Sequence, residues 1–242
     1  MKIEGKNPVR ELITAGETIE KIIFADGSND GELRTIQKLA REKGVKVEFA
    51  PREKLDKMSE TGHHQGVIAF HSDFEYADLQ ETIDKSRQDG KDVLLVILDE
   101  VLDPHNLGSV IRVAECAGAT GVVIPNWRSA TVNETVVRTS AGATAHMPVI
   151  KVSNLNQAIE TMKAQNIWVY GADMDGKTMY QANLKGDVAI VVGGEGTGIK
   201  KLTKSLCDEI ISIPMNGKVN SLNASVSAGI VIYEVIRQRM GK

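Results

Sequence analysis

Three polar segments follow predicted buried strands, and each holds side chains suited to catalysis or ligand binding. The candidate side chains are Asn106, Arg112, Glu195, Ser221 and Asn223. An arginine can bind phosphate or stabilise an oxyanion, whereas hydroxyl, amide and carboxylate groups can share or orient a proton. Because ligands of parallel α/β sheets bind at the carboxyl ends of the strands, we expect the three segments to converge.

The same side chains also have an ordinary structural interpretation. Asn106 lies where a helix N-cap is expected, and Arg112 falls in the second turn of that helix, spaced to pair with Glu115. Ser221 and Asn223 are common cap residues in front of the last predicted helix. Capping alone therefore explains each asparagine when it is considered by itself.

The second segment, VVGGEGTGIKKL over 191–202, contains four glycines in six residues. Glycine lets a backbone approach a ligand closely or adopt a positive φ without penalty. The spacing is not G-x-G-x-x-G, and Glu195 would repel a phosphate, so a dinucleotide pyrophosphate site is disfavoured. A tight turn followed by a helix cap is the structural alternative.

One further motif indicates different chemistry. Residues 171–178, GADMDGKT, fit the P-loop pattern G-x-x-x-x-G-K-[ST], which binds phosphate at a helix N-terminus. About ten residues separate Thr178 from the next predicted strand, which leaves little room for the helix that a P-loop needs. Asp173 and Asp175 would also lie inside the phosphate nest. A P-loop nucleotide hydrolase is therefore the minor alternative.

The elements that position these residues fall into two groups. In the first 70 residues, a helix is predicted over 31–44 and a short helix after Pro51. Strands are predicted over 19–25, 45–50 and 66–70. This part of the chain therefore predicts a small α/β unit.

The remainder of the chain predicts a parallel sheet with helices on both faces. Continuous apolar runs separated by helical patterns are typical of such sheets. The runs cover residues 93–99, 121–125, 147–152, 167–172, 188–194 and 209–214, and a long helix is predicted over 223–239. We expect an α/β domain over 1–72, an acidic linker over 73–91 with a surface helix as its alternative, and a second domain over 92–242.

Composition excludes several classes of protein. The 242 residues are 42% hydrophobic and 25% charged, which is typical of a folded chain and not of a disordered one. No apolar run approaches the roughly 18–20 residues of a membrane span, and we expect no signal peptide. The two cysteines fit a reducing cytoplasm. With five scattered histidines, they lack the spacing of a zinc site, so we expect no metal.

Taken together, the three segments resemble the three motifs of the SpoU, or TrmH-type, RNA 2′-O-ribose methyltransferases. The matching stretches are N-x-G-S-x-x-R over 106–112, G-G-E-G over 193–196, and I-P-M to S-L-N-A-S over 213–225. TGHHQGV over 61–67 is similar to the ribosomal-protein-like RNA-binding domain of the branch that methylates a guanosine ribose in large-subunit (23S) ribosomal RNA. The resemblance implies the SPOUT fold, an α/β sheet with a C-terminal trefoil knot, and a cytoplasmic homodimer with active sites near the subunit interface.

The resemblance also implies roles for individual residues. Backbone groups would hold S-adenosylmethionine at Gly193, Gly194, Ile213 and Leu222. Asn106, Glu195, Ser221 and Asn223 would surround the reacting centre. Arg112 matches the arginine assigned to catalysis and to the target phosphate. The implied reaction is in-line methyl transfer to a ribose 2′-oxygen, whose proton must be removed or shared.

The identity of the base is the weak point of that mechanism. The family proposal makes Arg112 the base, yet a guanidinium is effectively always protonated. We hypothesise that Arg112 binds a phosphate and stabilises an alkoxide, while Ser221 or solvent shares the proton.

RNA binding has to depend on local basic groups, because the net charge is −3. Residues 71–90 alone carry six acidic and two basic residues. The candidate basic groups are Arg128, Arg138, Lys200, Lys201 and Lys204 near the polar segments, and Arg10, Arg34, Lys38 and Arg41 in the first domain. Ribosomal RNA is the expected substrate and transfer RNA the alternative. A non-catalytic RNA-binding protein would not need all five polar candidates.

Overall fold

The computed structural model describes residues 2–28, 30–71, 74–218 and 221–241. The chain divides into two compact units, Met1–Glu75 and Tyr76–Lys242. In the described ranges, no helix combines the length and apolar composition that a bilayer crossing requires.

The first unit is a four-stranded mixed sheet with the strand order β1-β4-β2-β3. Its elements in chain order are β1 (Lys2–Glu4), α1 (Lys6–Ala15), β2 (Ile19–Ala25), α2 (Gly31–Glu42), β3 (Val47–Ala50), α3 (Arg52–Met58) and β4 (Val67–His71). β2 pairs parallel with β3 and antiparallel with β4. Phe24 and Ile36 are fully buried in its core, so the predicted α/β unit is confirmed.

Two elements of this unit, β1 and α1, are absent from the sequence prediction. The strand has only three residues, all half-buried, so it shows no clear alternation. The helix follows Gly5, which has no side chain that could cap it, and carries Pro8 in its first turn. Neither element therefore has the start signal on which a sequence prediction depends.

The second unit is built on a six-stranded sheet with the order β10-β8-β9-β5-β6-β7. All five strand pairs are parallel, as predicted. The strands are β5 (Leu94–Asp99), β6 (Gly121–Pro125), β7 (Val149–Val152), β8 (Trp168–Thr178), β9 (Val188–Gly193) and β10 (Glu209–Ser212). The helices are α4 (Leu79–Gln88), α5 (Pro104–Cys116), α6 (Glu134–Thr139), α7 (Leu155–Ala164), α8 (Lys201–Leu206) and α9 (Ala224–Met240).

Helices cover both faces of this sheet. α4 and α7 pack on the face that carries Leu95 and Ile97. α5 and α9 pack against each other and against β6 and β9, outside that cluster. The alternating side chains of β5 are buried on both faces, which explains its continuous apolar sequence.

The structure differs from the acidic linker predicted over 73–91. Residues from Tyr76 onward belong to the second unit, and α4 occupies most of the segment. Asp78 caps this helix by accepting a hydrogen bond from the Glu81 backbone N–H at 3.0 Å. Ile83 of this helix is fully buried in the core, and the half-buried Leu79 packs against the same core. These two apolar side chains hold a helix of ten residues against the sheet, although polar residues dominate its composition.

The structure also excludes the P-loop interpretation of residues 171–178. Residues 171–178 lie entirely within β8 and are followed by a 3-10 turn, not by a phosphate-binding helix. Lys177 pairs with Glu209 of the neighbouring β10. A phosphate nest needs a loop and a helix N-terminus, and this segment has neither.

Candidate active site

Three polar side chains from distant segments meet at the carboxyl end of the parallel sheet. The Asn223 Nδ2 donates hydrogen bonds to Glu195 Oε1 at 2.6 Å and to Asn106 Oδ1 at 2.9 Å. The Asn106 Nδ2 donates to the same Glu195 Oε1 at 3.1 Å. The expected convergence of the three polar segments is therefore present in the structure for these residues.

Asn223 caps a helix and belongs to this cluster at the same time. Its Oδ1 accepts hydrogen bonds from the backbone N–H groups of Ser225 at 2.9 Å and Val226 at 3.3 Å, at the start of α9. Because the amide oxygen faces the helix, the amide nitrogen is directed towards Glu195. The two interpretations of Asn223 are thus compatible.

Asn106 is not the helix cap that its position predicts. Asp103 caps α5 by accepting a hydrogen bond from the His105 backbone N–H at 2.9 Å, and Pro104 begins the helix. Proline is favoured at this first position, so the residue before it becomes the cap. Asn106 is consequently the third helical residue, and its buried amide needs the partners that the cluster supplies.

The glycines of 193–198 allow two chain segments to approach each other closely. A Cβ at Gly193 would lie 2.0 Å from the Gly198 carbonyl carbon, and one at Gly194 would lie 2.3 Å from the Glu100 carbonyl oxygen. The Gly194 backbone N–H donates to the Asp99 carbonyl at 2.8 Å. Larger residues at 193 and 194 would therefore separate the loop from the end of β5.

A cavity of about 620 Å³ lies beside the cluster. The predicted residues that line it are Gly193, Gly194, Glu195, Ile213, Ser221, Leu222 and Asn223. Sequence reasoning missed the contribution of β8, whose Ala172, Asp173 and Met174 also line the cavity. The sequence did mark this segment, but through the P-loop pattern over 171–178, which indicated a phosphate site of a different kind. The volume suits a ligand of nucleoside size.

Carboxylates dominate the charged lining of this cavity. Asp173 and Glu195 both line it, and no lysine or arginine does so in the part of the chain that the structure describes. Lys204 pairs with Asp173 at 3.1 Å and with Asp175 at 3.3 Å. Burial lowers the pKa of Lys204, but these two carboxylates raise it above its usual value. The lining favours a cationic ligand over a phosphate.

Arg112 lies apart from the cavity. It is exposed in the third turn of α5, not the second, and lines a separate depression of about 240 Å³ with Cys116 and His146. An α-helix turns about 100° per residue, so Arg112 and Asn106 face directions about 120° apart. No ion pair joins Arg112 to Glu115 across the described ranges. One chain alone does not bring Arg112 to the cluster.

Comparison with known proteins identifies the family. The profile of the SpoU rRNA Methylase family matches residues 93–233, more than half of the chain. The chain belongs to the SpoU family of RNA methyltransferases. A second profile, described as RNA 2′-O ribose methyltransferase substrate binding, matches residues 2–77 of this SpoU methyltransferase.

Relatives of this SpoU methyltransferase match nearly its full length. A Bacillus subtilis protein named for the TrmH family of tRNA/rRNA methyltransferases is 41% identical over 97% of this chain and 94% of its own. A Staphylococcus saprophyticus protein of the same designation is 42% identical over 98% and 95%.

Solved structures share the fold of this SpoU methyltransferase. The methyltransferase AviRb from Streptomyces viridochromogenes, crystallised with AdoMet, aligns with a TM-score of 0.64 at 23% identity, over 100% of this chain and 91% of its own. A Porphyromonas gingivalis protein described as an RNA methyltransferase of the TrmH family aligns with a TM-score of 0.59 at 25% identity, over 100% and 90%.

Acidic neighbours bind several of the basic residues proposed to contact RNA in this SpoU methyltransferase. Glu100 pairs with Lys200 at 2.7 Å and with Arg128 at 3.3 Å. These two cations hold the pKa of the Glu100 carboxyl below its usual range, against the opposing effect of burial. Two cations share one carboxylate, so this group keeps a net positive charge. In the first unit, Arg10 and Lys38 also pair with glutamates.

Proposed function

We propose that the chain transfers a methyl group from S-adenosylmethionine to a ribose 2′-oxygen, most specifically of a guanosine in large-subunit ribosomal RNA. The observation that carries this proposal is the hydrogen-bonded cluster of Asn106, Glu195 and Asn223 beside the 620 Å³ cavity. Asn106 is buried, whereas Glu195 and Asn223 are exposed to the cavity. Polar groups that orient one another at a cavity wall are useful around a reacting centre, because each is held in a single geometry.

The cavity fits S-adenosylmethionine in size and charge. Its volume matches a nucleoside with an amino-acid tail. The carboxylates of Asp173 and Glu195 complement a sulfonium cation, and Met174 and Met215 supply apolar contacts. Gly193, Gly194, Ile213 and Leu222 would hold the cofactor through backbone groups. When bound, the cofactor supplies an electrophilic methyl carbon.

The protein contributes positioning and proton handling. Two amide donors fix one Glu195 oxygen, so the carboxylate keeps a single orientation at the cavity wall. Ser221 lines the same cavity, and its hydroxyl can accept the proton of the ribose 2′-OH while passing its own to solvent.

A second copy of the chain would complete the site. Arg112 is exposed and lies outside the cavity of its own chain. In a two-fold symmetric homodimer, the Arg112 of each chain would serve the cavity of the other. There the guanidinium would bind the phosphate next to the target ribose and stabilise the developing alkoxide.

The C-terminal segment would form the trefoil knot of the SPOUT fold. β10 lies at one edge of the sheet, whereas α9 packs against α5 and β9. A threaded C-terminal segment requires such a return of the chain from the sheet edge towards β9 and α5.

The first unit would bind the RNA substrate. In the stretch TGHHQGV, His64 is buried, accepts a hydrogen bond from the Gly66 backbone N–H at 3.0 Å and bonds Asp56 at 2.8 Å. Gln65 accepts a hydrogen bond from the Lys6 backbone N–H at 3.0 Å. These side chains hold the loop in shape, which leaves His63 exposed for contact with RNA.

The test is methyl transfer from labelled S-adenosylmethionine to unmodified ribosomal and transfer RNA, supplied as separate fractions. The proposal requires label in ribosomal RNA and resistance of one linkage to alkali, because a 2′-O-methyl group blocks hydrolysis of the adjacent phosphodiester. Label in transfer RNA alone would overturn the proposed substrate and retain the chemistry. The absence of label from both fractions would overturn the methyl-transfer proposal.

A further inference from the structure

An exposed tryptophan lies in the loop that follows β6. Trp127 is 59% exposed and comes two residues after the end of that strand. β6 pairs parallel with β5, so the loop opens at the same sheet edge as the Asn106–Glu195–Asn223 cluster. We propose that the Trp127 indole stacks on an unpaired base of the RNA substrate next to the active site. This inference rests on the proposed RNA methyl transfer.

Backbone hydrogen bonds fix the loop at both ends. The Asn126 backbone N–H donates to the Val152 carbonyl at 2.8 Å, and the Ala130 backbone N–H donates to the Val101 carbonyl at 2.9 Å. Trp127 is therefore presented from an anchored loop of three residues. With the backbone anchored, only the two side-chain torsions of Trp127 have to be ordered when a flat ligand stacks on its ring, so the entropy cost is small.

Two residues with disfavoured backbone geometry connect Trp127 to the active site. Arg128 has a φ of 53° and Glu100 a φ of 59°, both in the left-handed region that favours glycine. Their side chains form an ion pair at 3.3 Å. The Glu100 carbonyl oxygen packs directly against Gly194 of the cavity. Strained positions of this kind persist where the surrounding structure holds them, and they concentrate at functional sites.

The charges beside Trp127 suit a nucleic-acid strand. The side chain of Arg128 is 60% exposed and that of Lys200 is 47% exposed, although both pair with Glu100. Each cation keeps exposed N–H donors, and the group carries a net positive charge. Aromatic rings that stack on bases, flanked by cations that bind the phosphates, are the usual means of binding single-stranded RNA.

The chain contains a matched control. Trp168 is similarly exposed, at 53%, but it is the first residue of β8. It therefore lies at the amino end of a strand in the parallel sheet, opposite the edge that carries the active site. These are the only two tryptophans in the sequence, so each single substitution leaves one fluorescent reporter.

Fluorescence titration tests the proposal directly. Trp168→Phe retains Trp127 as its reporter, and Trp127→Phe retains Trp168. Each variant is titrated with unmodified transcripts of large-subunit ribosomal RNA and of transfer RNA, and binding is followed separately by retention on filters. We expect the RNA that accepts methyl groups to quench Trp127 and to leave Trp168 unchanged. Retention of RNA without a change in Trp127 emission would overturn the inference.

Kinetics provide the second test. Trp127→Ala should raise the KM for RNA on the order of ten-fold, because one stacked base contributes about 1–3 kcal/mol to binding and ten-fold corresponds to about 1.4 kcal/mol. The cofactor affinity and the kcat at saturating RNA should be unchanged, and Trp127→Phe should keep most of the affinity. An unchanged KM in Trp127→Ala would overturn the inference.

The outcomes separate the inference from the function on which it rests. If neither wild type nor Trp168→Phe transfers a methyl group to either RNA, the proposed function fails, and this inference fails with it. If Trp127 emission responds to dilution of the protein and not to RNA, a second copy of the chain covers the residue, and base stacking is overturned while methyl transfer stands.

Discussion

Asn223 donates a hydrogen bond to Glu195 at 2.6 Å while its own carbonyl oxygen caps α9. One amide thus joins the start of the last helix to the glycine-rich loop after β9. The orientation of the amide is fixed by its two ends, since only the oxygen can accept from the helix and only the nitrogen can donate to a carboxylate. The geometry of the candidate site therefore depends on the helix cap.

Asn223→Asp separates capping from catalysis. Aspartate caps helices about as well as asparagine, so the melting temperature should change little. Its carboxylate would repel Glu195 instead of donating to it, and we expect methyl transfer to fall on the order of 100-fold through misplaced groups. Asn223→Ser is the control that caps without adding charge, and it should lose less activity. Wild-type activity in Asn223→Asp would contradict a role for this hydrogen bond.

Gly194→Ala should disrupt the cavity. The added Cβ would lie 2.3 Å from the Glu100 carbonyl oxygen, so the loop has to move away from β5. We expect a loss of about 1–3 kcal/mol in the free energy of unfolding and the loss of thermal stabilisation by S-adenosylmethionine. Gly217→Ala is the control, because nothing lies within 4 Å of its Cβ position. Equal melting temperatures and equal cofactor shifts in the two variants would contradict the close-approach argument.

Glu4 should stabilise the first unit in a pH-dependent way. Burial alone would raise the pKa of Glu4, but hydrogen bonds from Ser59, Thr61 and the Glu60 backbone N–H lower it to about 2. The pKa is thus lower in the folded state than the usual 4.5. The stabilisation is complete above the unfolded pKa and is lost as the pH falls towards the folded value.

Glu4→Gln tests this prediction by thermal unfolding across pH. At pH 7 the variant should lose about 1–3 kcal/mol, the usual contribution of hydrogen bonds to a charged group. The difference from wild type should shrink as the pH is lowered from above 4.5 towards 2. Lys38→Gln, which removes an exposed ion pair at 3.8 Å, should change stability little at any pH. A Glu4→Gln difference that is independent of pH would contradict the assignment.

The sequence predicts strands best where both faces are buried. β6 begins and ends at the predicted residues, because a continuous apolar run marks it clearly. β2 also has the predicted bounds, although its second and third residues are charged and half-buried. β8 extends six residues beyond its predicted end, through polar residues that resemble a loop. Pairing with β10 explains the extension: the Ser212 hydroxyl donates to the Gly176 carbonyl at 2.8 Å. Such pairing depends on a partner 36 residues away and leaves no local signal.

The candidate site was predictable to the extent that sheet topology determines it. Carboxyl ends of adjacent parallel strands meet at one edge, so the convergence of 98–121, 191–202 and 211–234 followed from the order of elements. The placement of Arg112 did not follow. Its role depends on the direction in which the exposed face of α5 is turned and on surfaces beyond one chain, and neither follows from the order of the elements.

Mixing two weakly active variants would show where Arg112 acts. Arg112→Ala and Asn223→Asp should each have little activity alone, the first through loss of the phosphate-binding cation and the second through misplaced groups at the cavity. If Arg112 serves the cavity of the partner, a mixed dimer has one intact site, formed by the cavity of one chain and the Arg112 of the other. Random mixing makes about half of the dimers mixed, and each mixed dimer has one intact site out of two. About a quarter of the wild-type activity should therefore return.

A preparation in which one chain carries both substitutions, mixed with wild type, controls for subunit exchange. No recovery despite demonstrated exchange would mean that Arg112 acts within its own chain or not at all.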